Sequence, residues 1–185
     1  MNLCSTSEKI SCYYKEEFQG IKISYTKEID PLGTGGGIRL AMTKCTTSDV
    51  LVLNGDSFFD VNLNDYQSQH KLFQSDCSLA LRKVDNAARY GTITLDNSLK
   101  INAFKEKDSV EKEGVINGGV YILNRNVFLA NTKQDAPFSI EKDFFEKNIN
   151  ELTMFGFEYQ GYFIDIGIPE DYEKAQDDFK EFKYK

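Results

Sequence analysis

Apolar residues in this chain fall mostly into short runs, each closed by a turn. Residues 50–53 read V-L-V-L and stop at Asn54-Gly55-Asp56, which predicts a buried strand followed by a turn carrying a carboxylate. Residues 21–25 alternate as I-K-I-S-Y after Gly20, the period of a half-buried strand. Between these two, Asp30-Pro31 opens a loop over 32–37 with four glycines, and 38–44 reads as a short helix. Residues 63–73 read as a helix with Asn62 or Asn64 as its cap. A strand is predicted at 77–84, then a hairpin of 91–95 with 101–105 around Asp96-Asn97. Residues 115–123 form an apolar run interrupted by Asn117-Gly118-Gly119, and glycines inside a strand mark close approach of a ligand or another backbone. Ser139 caps a helix over 139–148 whose Ile140, Phe144, Phe145 and Ile149 form a core-facing stripe. One or two strands lie in 155–164, and Pro169 opens a last helix at a position where its missing N–H costs nothing.

Strands alternate with helices in the first half, and antiparallel signals dominate later. The expected class is therefore α/β with a mixed sheet. No internal repeat or low-complexity linker divides the chain, so residues 1–185 are expected to form a single domain.

Composition narrows the function classes. With 41% hydrophobic residues, 14 Phe and 10 Tyr in 185 positions, the chain is globular rather than disordered. Its net charge of −7, without a dense Lys/Arg run, disfavours nucleic acid and anionic membrane surfaces as partners. No apolar stretch has membrane-spanning length, and residues 1–14 lack the pattern of a secretory signal. Cys4, Cys12, Cys45 and Cys77 form no C-x-x-C pair, so a reduced cytoplasmic protein is expected. His70 is the only histidine, which argues against His-rich zinc sites and a histidine-dependent triad; beside Gln69, Lys71 and Gln74 it is expected on a solvated helix face.

Several residues could carry chemistry. Asp56 follows a strand, and ligands of open α/β sheets gather at the carboxyl ends of strands. With Gly55 beside it, Asp56 suits a hard cation such as Mg²⁺ carrying phosphates; a solvated turn Asp would have the same sequence. Asp165 is a lone acid in F-I-D-I-G-I-P, placed either to cap the following helix or to hold a cation. Together the two acids make a candidate divalent-metal pair. The glycines of 33–37 precede a helix, where backbone N–H groups form an anion site. The run matches neither G-x-G-x-x-G with a distant acid nor a P-loop, and a flexible turn fits it too. Lys105-Glu106-Lys107 offers phosphate and hydroxyl contacts, or else is a solvated charge run. Arg89-Tyr90-Gly91 and Asn117-Gly118-Gly119 share that ambiguity.

In order, the chain carries P-L-G-T-G-G, V-L-N-G-D, R-Y-G, F-K-E-K, N-G-G-V-Y and F-I-D-I-G-I-P. This ordered set, over residues 20–172, resembles the sugar-1-phosphate nucleotidylyltransferases, and among them the bacterial guanylyltransferases that act on manno-heptose 1-phosphate. The resemblance implies a GT-A-like, Rossmann-like fold and a Mg²⁺-dependent reaction in which a sugar-1-phosphate oxygen attacks the α-phosphate of a nucleoside triphosphate and pyrophosphate leaves. It implies Asp56 and Asp165 as metal ligands, Lys107 on the sugar phosphate and Glu106 on sugar hydroxyls. It also implies Gly91, Asn117 and Gly118 along the sugar pocket, and Leu32, Gly33 and Thr34 beside the base. Such chemistry is positioning plus charge neutralisation and needs no covalent protein intermediate. Glu28 could accept two hydrogen bonds from the two-donor edge of guanine, which favours GTP; a surface Glu beside Lys27 fits equally.

The chain departs from the family's pattern at its start. The family opens with a strand, a G-G-x-G-T-R-L loop and a later P-K-P; none of these is present here. An opening βαβ portion, about 30 residues or more, is expected to be absent and apolar surface to be exposed in its place. F-K-E-K-D also lacks the proline that often follows this motif. Three alternatives stand: a nucleotidylyltransferase fragment with the triphosphate half of its site damaged, a non-catalytic chain whose sheet a homo-oligomer or partner chain completes, and a GT-A glycosyltransferase using Asp56.

Overall fold

The computed structural model describes residues 6–105 and 112–182. From its start, α1 (Thr6–Tyr14) leads into a small hairpin of β1 (Glu17–Phe18) and β2 (Ile21–Lys22). Then come α2 (Gly33–Met42), β3 (Asp49–Leu53) and β4 (Ser57–Phe59). Asn62 caps α3 (Leu63–Leu72), its side chain accepting the Asp65 N–H at 3.1 Å. Next are β5 (Cys77–Val84), β6 (Thr92–Leu95), β7 (Ile101–Lys105) and β8 (Gly114–Asn124). Asn124 caps α4 (Arg125–Ala130), and Ser139 caps a π-helix (Ile140–Glu146). The chain continues through β9 (Met154–Glu158) and β10 (Phe163–Asp165) into α5 (Pro169–Glu181), which Pro169 opens.

The mixed six-stranded sheet is organised around β8. One edge of β8 pairs antiparallel with β5, from Cys77↔Leu123 to Val84↔Gly114. Its other edge is shared: β3 takes the second half, from Asp49↔Asn124 to Leu53↔Val120, and β6 meets the first half at Thr92↔Ile116. β6 pairs with β7 across a turn in which the Asp96 carboxylate accepts the Ser98 and Lys100 N–H groups. β9 lies parallel to β5. A separate antiparallel ladder joins β4 to β10.

Alternation along β5 and β8 explains why both read as continuous apolar runs. Leu79, Leu81, Tyr121 and Leu123 face one core with Phe128, Phe144, Phe145 and Met154. Ala80, Val120 and Ile122 face the other with Tyr66 and Phe157. A strand covered on both sides has no polar face to show. Burying each large side chain of this kind stabilises the fold by about 1.5–3 kcal/mol.

β3 is the exception. Backbone bonds from Arg125 N to Ser48 O and from Asn54 N to Gly119 O set its register on β8. By strand alternation, residues 49, 51 and 53 then direct their N–H and C=O groups to the opposite edge. That edge has no partner strand among the described residues, and Leu51 and Leu53 are 42% and 60% exposed.

Three sequence expectations are corrected. The strand at 21–25 shrinks to Ile21–Lys22, because its partner, β1, is only two residues long and neither strand is covered. The 32–37 loop is largely helix: α2 starts at Gly33, and the helix expected at 38–44 ends at Met42. His70 is buried, with 3% of its surface exposed. Tyr66 and His70 are one turn apart on the face of α3 that meets the sheet. The imidazole Nδ1 lies 2.8 Å from Ser78 Oγ, and Nε2 lies 3.7 Å from an Asp49 oxygen. Ser78 is fully buried, so this Ser-His-Asp order is a satisfied core cluster without substrate access. Burial holds the imidazole below its usual range, with Asp49 pulling more weakly the other way.

Candidate active site

Asp56 and Asp165 come from distant parts of the chain and meet at the β4–β10 ladder. Asp165 is paired with Ser57, and the N–H of Ile166 donates to the Asp56 carbonyl at 2.9 Å. Asp56, just before β4, and Asp165, at the end of β10, therefore lie one step apart in register on neighbouring segments. Asp165 Oδ1 also accepts the Gly167 N–H at 2.8 Å, and the Ser57 hydroxyl lies 3.4 Å from Asp56 Oδ1. Among the described residues no cluster of three His, Cys, Asp or Glu side chains forms a self-contained metal cage. Two acids brought to one end of this ladder by their backbones, with Asp56 exposed, are the donor type of a hard divalent ion, which binds through one or two carboxylates and completes its shell with water and substrate phosphates.

An aromatic cluster holds this ladder in place. Phe58 packs edge-on against Phe179 and Phe182, with ring centroids 5.0 and 5.3 Å away. The Tyr162 hydroxyl donates to Asp178 of α5; burial and that carboxylate push the phenol up to about 12. Sequence reading missed β4, too short at three residues to show a period, and with it this support.

Beside the acids opens a cleft of about 900 Å³. Asp165, Asn54, Ser57, Gly91, Lys105 and Asn117 are among the residues that line it. Arg89, Lys105 and Lys142 bring positive charge to its wall, and Glu141 and Glu146 negative charge. Arg89 donates to Asp171 of α5 at 2.8 Å, and its guanidinium lies 5.7 Å from the Tyr90 ring centre. The Asn117 amide donates to the Tyr121 hydroxyl at 2.8 Å and to Glu141 at 3.0 Å. Tyr121 is buried, which raises its phenol, while hydrogen bonds from Asn117 and Asn54 pull the other way. Asn54, Tyr121, Asn117 and Glu141 are thereby linked along the cleft. Glu141 was read only as a helix residue; the signal available was its position beside the capping Ser139.

The remaining predicted residues divide into four groups. Gly91 and Asn117 line the cleft. Gly118 is buried outside that lining, packed against the Phe59 ring, with the Ala80 carbonyl 3.0 Å from where its Cβ would stand. Glu28, Leu32, Gly33 and Thr34 gather at the start of α2: Glu28 accepts the Leu32 N–H at 2.8 Å, and Thr34 Oγ1 accepts the Ile140 N–H at 3.0 Å. The close approach that the glycines permit is to the 136–138 segment. Gly33, at φ +70°, has the Phe138 carbonyl 2.7 Å from its Cβ position, and the Phe138 ring fills the space beside Gly35. The Gly35 N–H is likewise taken by the Phe138 carbonyl at 3.0 Å. Glu106 and Lys107 lie outside the described residues; Lys105, immediately before them, lines the cleft.

Residues 5–181 match the family model described as nucleotidyl transferase. The chain belongs to the nucleotidyl transferase family. It is 42% identical over 175 residues to the D-glycero-alpha-D-manno-heptose 1-phosphate guanylyltransferase of Aneurinibacillus thermoaerophilus, covering 95% of this chain and 75% of that protein. It is also 42% identical to the enzyme of the same name from Campylobacter jejuni, over 89% of this chain and 71% of that protein. The fold of this family member is shared with HddC from Yersinia pseudotuberculosis: TM-score 0.81 at 32% identity, covering 95% of this chain and 74% of HddC. HddC complexed with GMP-PN matches with a TM-score of 0.79. Among the described residues no helix is long and apolar enough to cross a membrane.

Proposed function

We propose that the chain transfers a nucleotidyl group to a sugar 1-phosphate: GMP from GTP onto a manno-heptose 1-phosphate, making a GDP-sugar in the cytoplasm for surface polysaccharide. The convergence of Asp56 and Asp165 at the β4–β10 ladder, with Asp165 on the wall of the cleft, carries this reading. The names of the two 42% identical relatives support the heptose and guanine assignments.

In this reading Mg²⁺, held by Asp56 and Asp165, supplies charge neutralisation on the phosphates. The rest is done by the chain's own groups. Lys107 holds the sugar phosphate, with Lys105 adding positive charge where β7 enters the cleft. Glu106 accepts from sugar hydroxyls, and Gly91 and Asn117 present the pocket wall. Asn117, tied to Tyr121 and Glu141, arrives with its amide already oriented. The sugar-phosphate oxygen then bonds to the α-phosphorus, the bond to the bridging oxygen breaks, and pyrophosphate carries away that electron pair. Leu32, Gly33, Thr34 and Glu28 serve the base from the start of α2.

The chain, Mg²⁺, heptose 1-phosphate and GTP are incubated together, and pyrophosphate and GDP-sugar are quantified, with UTP and CTP as comparisons. Equal release of both products, favouring GTP, is the expected result. Sugar transfer from a GDP-sugar to an acceptor without pyrophosphate would replace this reading with a glycosyltransferase.

A further inference from the structure

We propose that Arg89 is a phosphate-binding residue of the cleft, its guanidinium set for phosphate oxygens by Asp171. Arg89 projects from the turn between β5 and β6, and that turn is fixed by its own bonds. The Ala87 N–H donates to the Lys112 carbonyl at 2.9 Å, the Tyr90 N–H to the Ala87 carbonyl at 2.9 Å, and the Ala88 N–H to the Asn86 side chain at 3.0 Å. Ala87 is buried, and the Tyr90 ring meets Phe163 of β10 with centroids 6.3 Å apart. The Arg89 side chain is held as well. One guanidinium nitrogen donates to Asp171, in the first turn of α5, at 2.8 Å, and the group lies 5.7 Å from the Tyr90 ring centre. Ordering a long side chain in this way before a ligand arrives removes that cost from binding.

What these anchors leave open points to a ligand. Among the described residues Asp171 is the one hydrogen-bond acceptor of Arg89, so the other donors of the guanidinium are unused. The side chain is 47% exposed and lines the cleft with Asp165, Gly167 and Gly91. Its bond to Asp171 raises the group further above its usual range, and Asp165 adds to this through space, so Arg89 stays charged and lies within electrostatic reach of that acid. A planar fork of donors near an ion that carries phosphates matches phosphate oxygens, which it grips in pairs, better than the neutral oxygens of a sugar. An ion pair this exposed adds little to stability, so a tether for α5 alone would be nearly dispensable. The inference rests on the proposed reaction and deepens it: beside the lysines assigned to the phosphates, the fold supplies one cation already fixed in place. The phosphate it grips belongs to the sugar 1-phosphate or to the nucleotide, and the ligands below separate the two.

Binding of heptose 1-phosphate, pyrophosphate, GTP and free heptose to the 185-residue chain is measured by calorimetry with Mg²⁺ present. Arg89→Met removes the charge and keeps the aliphatic stem. It should weaken heptose 1-phosphate, or GTP with pyrophosphate, about 10- to 100-fold and leave any binding of free heptose unchanged. Arg89→Lys keeps the charge without the fork and should lie between Arg89→Met and wild type. Asp171→Ala frees the guanidinium and should cost about two- to fivefold, with melting of all three variants near wild type. A tether would instead give Arg89→Met and Asp171→Ala the same small loss of stability at unchanged phosphate affinity, which would overturn the inference. Phosphate ligands held by wild type and equally by Arg89→Met would overturn the role of Arg89 and leave the proposed reaction standing; a wild-type chain that binds none of them would overturn both. An equal loss for free heptose would mean a hydroxyl contact and overturn the phosphate assignment. Should Arg89→Met fail to fold, Arg89→Lys and Asp171→Ala decide by the same comparison.

Discussion

Asp56 and Asp165 provide the sharpest test of the site. Asp56→Asn and Asp165→Asn each keep the shape of the side chain and remove its charge. Asn at 165 keeps an oxygen for the Gly167 N–H, and Asp56 is exposed with only a 3.4 Å contact from Ser57. Each variant should therefore melt within about 0.5 kcal/mol of wild type, as surface substitutions do. Activity should behave differently. Removing one preorganised electrostatic group at developing charge costs about 100- to 1,000-fold, or about 2.7–4 kcal/mol. The two acids meet at one end of the β4–β10 ladder, so as a shared ion site they should act as one unit, and effects within such a unit are far from additive. The double variant should lose about as much as the worse single variant. The assay is kcat/KM for pyrophosphate release under saturating Mg²⁺, with Mn²⁺ affinity measured in parallel by electron paramagnetic resonance. Strictly additive losses, or an Asp165→Asn enzyme with wild-type kcat/KM and Mn²⁺ affinity, would refute a shared ion.

Other expectations follow from the packing. Gly33→Ala meets both a positive φ and the Phe138 carbonyl; left-handed strain of about 1–2 kcal/mol with overpacking of about 1–3 kcal/mol should lower the denaturation midpoint, whereas a change confined to KM for GTP would mean that the glycine serves the base alone. The Tyr66 hydroxyl donates to Ser78 O at 2.7 Å and lies 3.2 Å from Val120 O; Tyr66→Phe should cost about 1–2 kcal/mol in urea unfolding, and a neutral result would remove that bond from the account. His70 has a folded pKa below its unfolded value because it is buried, so the unfolded state binds the extra proton as pH falls. The resulting stability is intact above about pH 6.5 and declines below it with a slope of up to about 1.4 kcal/mol per pH unit; His70→Gln should flatten the pH 5–7 limb of a melting-temperature profile, and an unchanged slope would count against it.

The parts of the fold legible beforehand were those whose side chains carry their own pattern. β5 was found with its limits because both its faces pack, and the 91–105 hairpin because Asp96 supplies a local turn. The convergence of residues 56 and 165 was expected for a related reason: an isolated carboxylate in an apolar strand end needs a partner. The glycine run misled because glycine reports that something comes near without reporting what. Here it is Phe138, remote in sequence. His70 misled because its polar neighbours in sequence occupy other faces of the helix. Arg89, Glu141 and Tyr121 gain their meaning only from contacts across elements, which no local spacing encodes.

The central position of β8 also sets an order of events during synthesis. β3 and β5 are made first, yet both depend on residues 114–124 for their ladders. Contacts so far apart in sequence form slowly, and apolar strands left waiting are prone to aggregate. A ribosome-bound chain stopped short of residue 114 would hold local hairpins and helices, with Leu79, Leu81 and Val52 uncovered, and would be a natural client for a chaperone until β8 emerges.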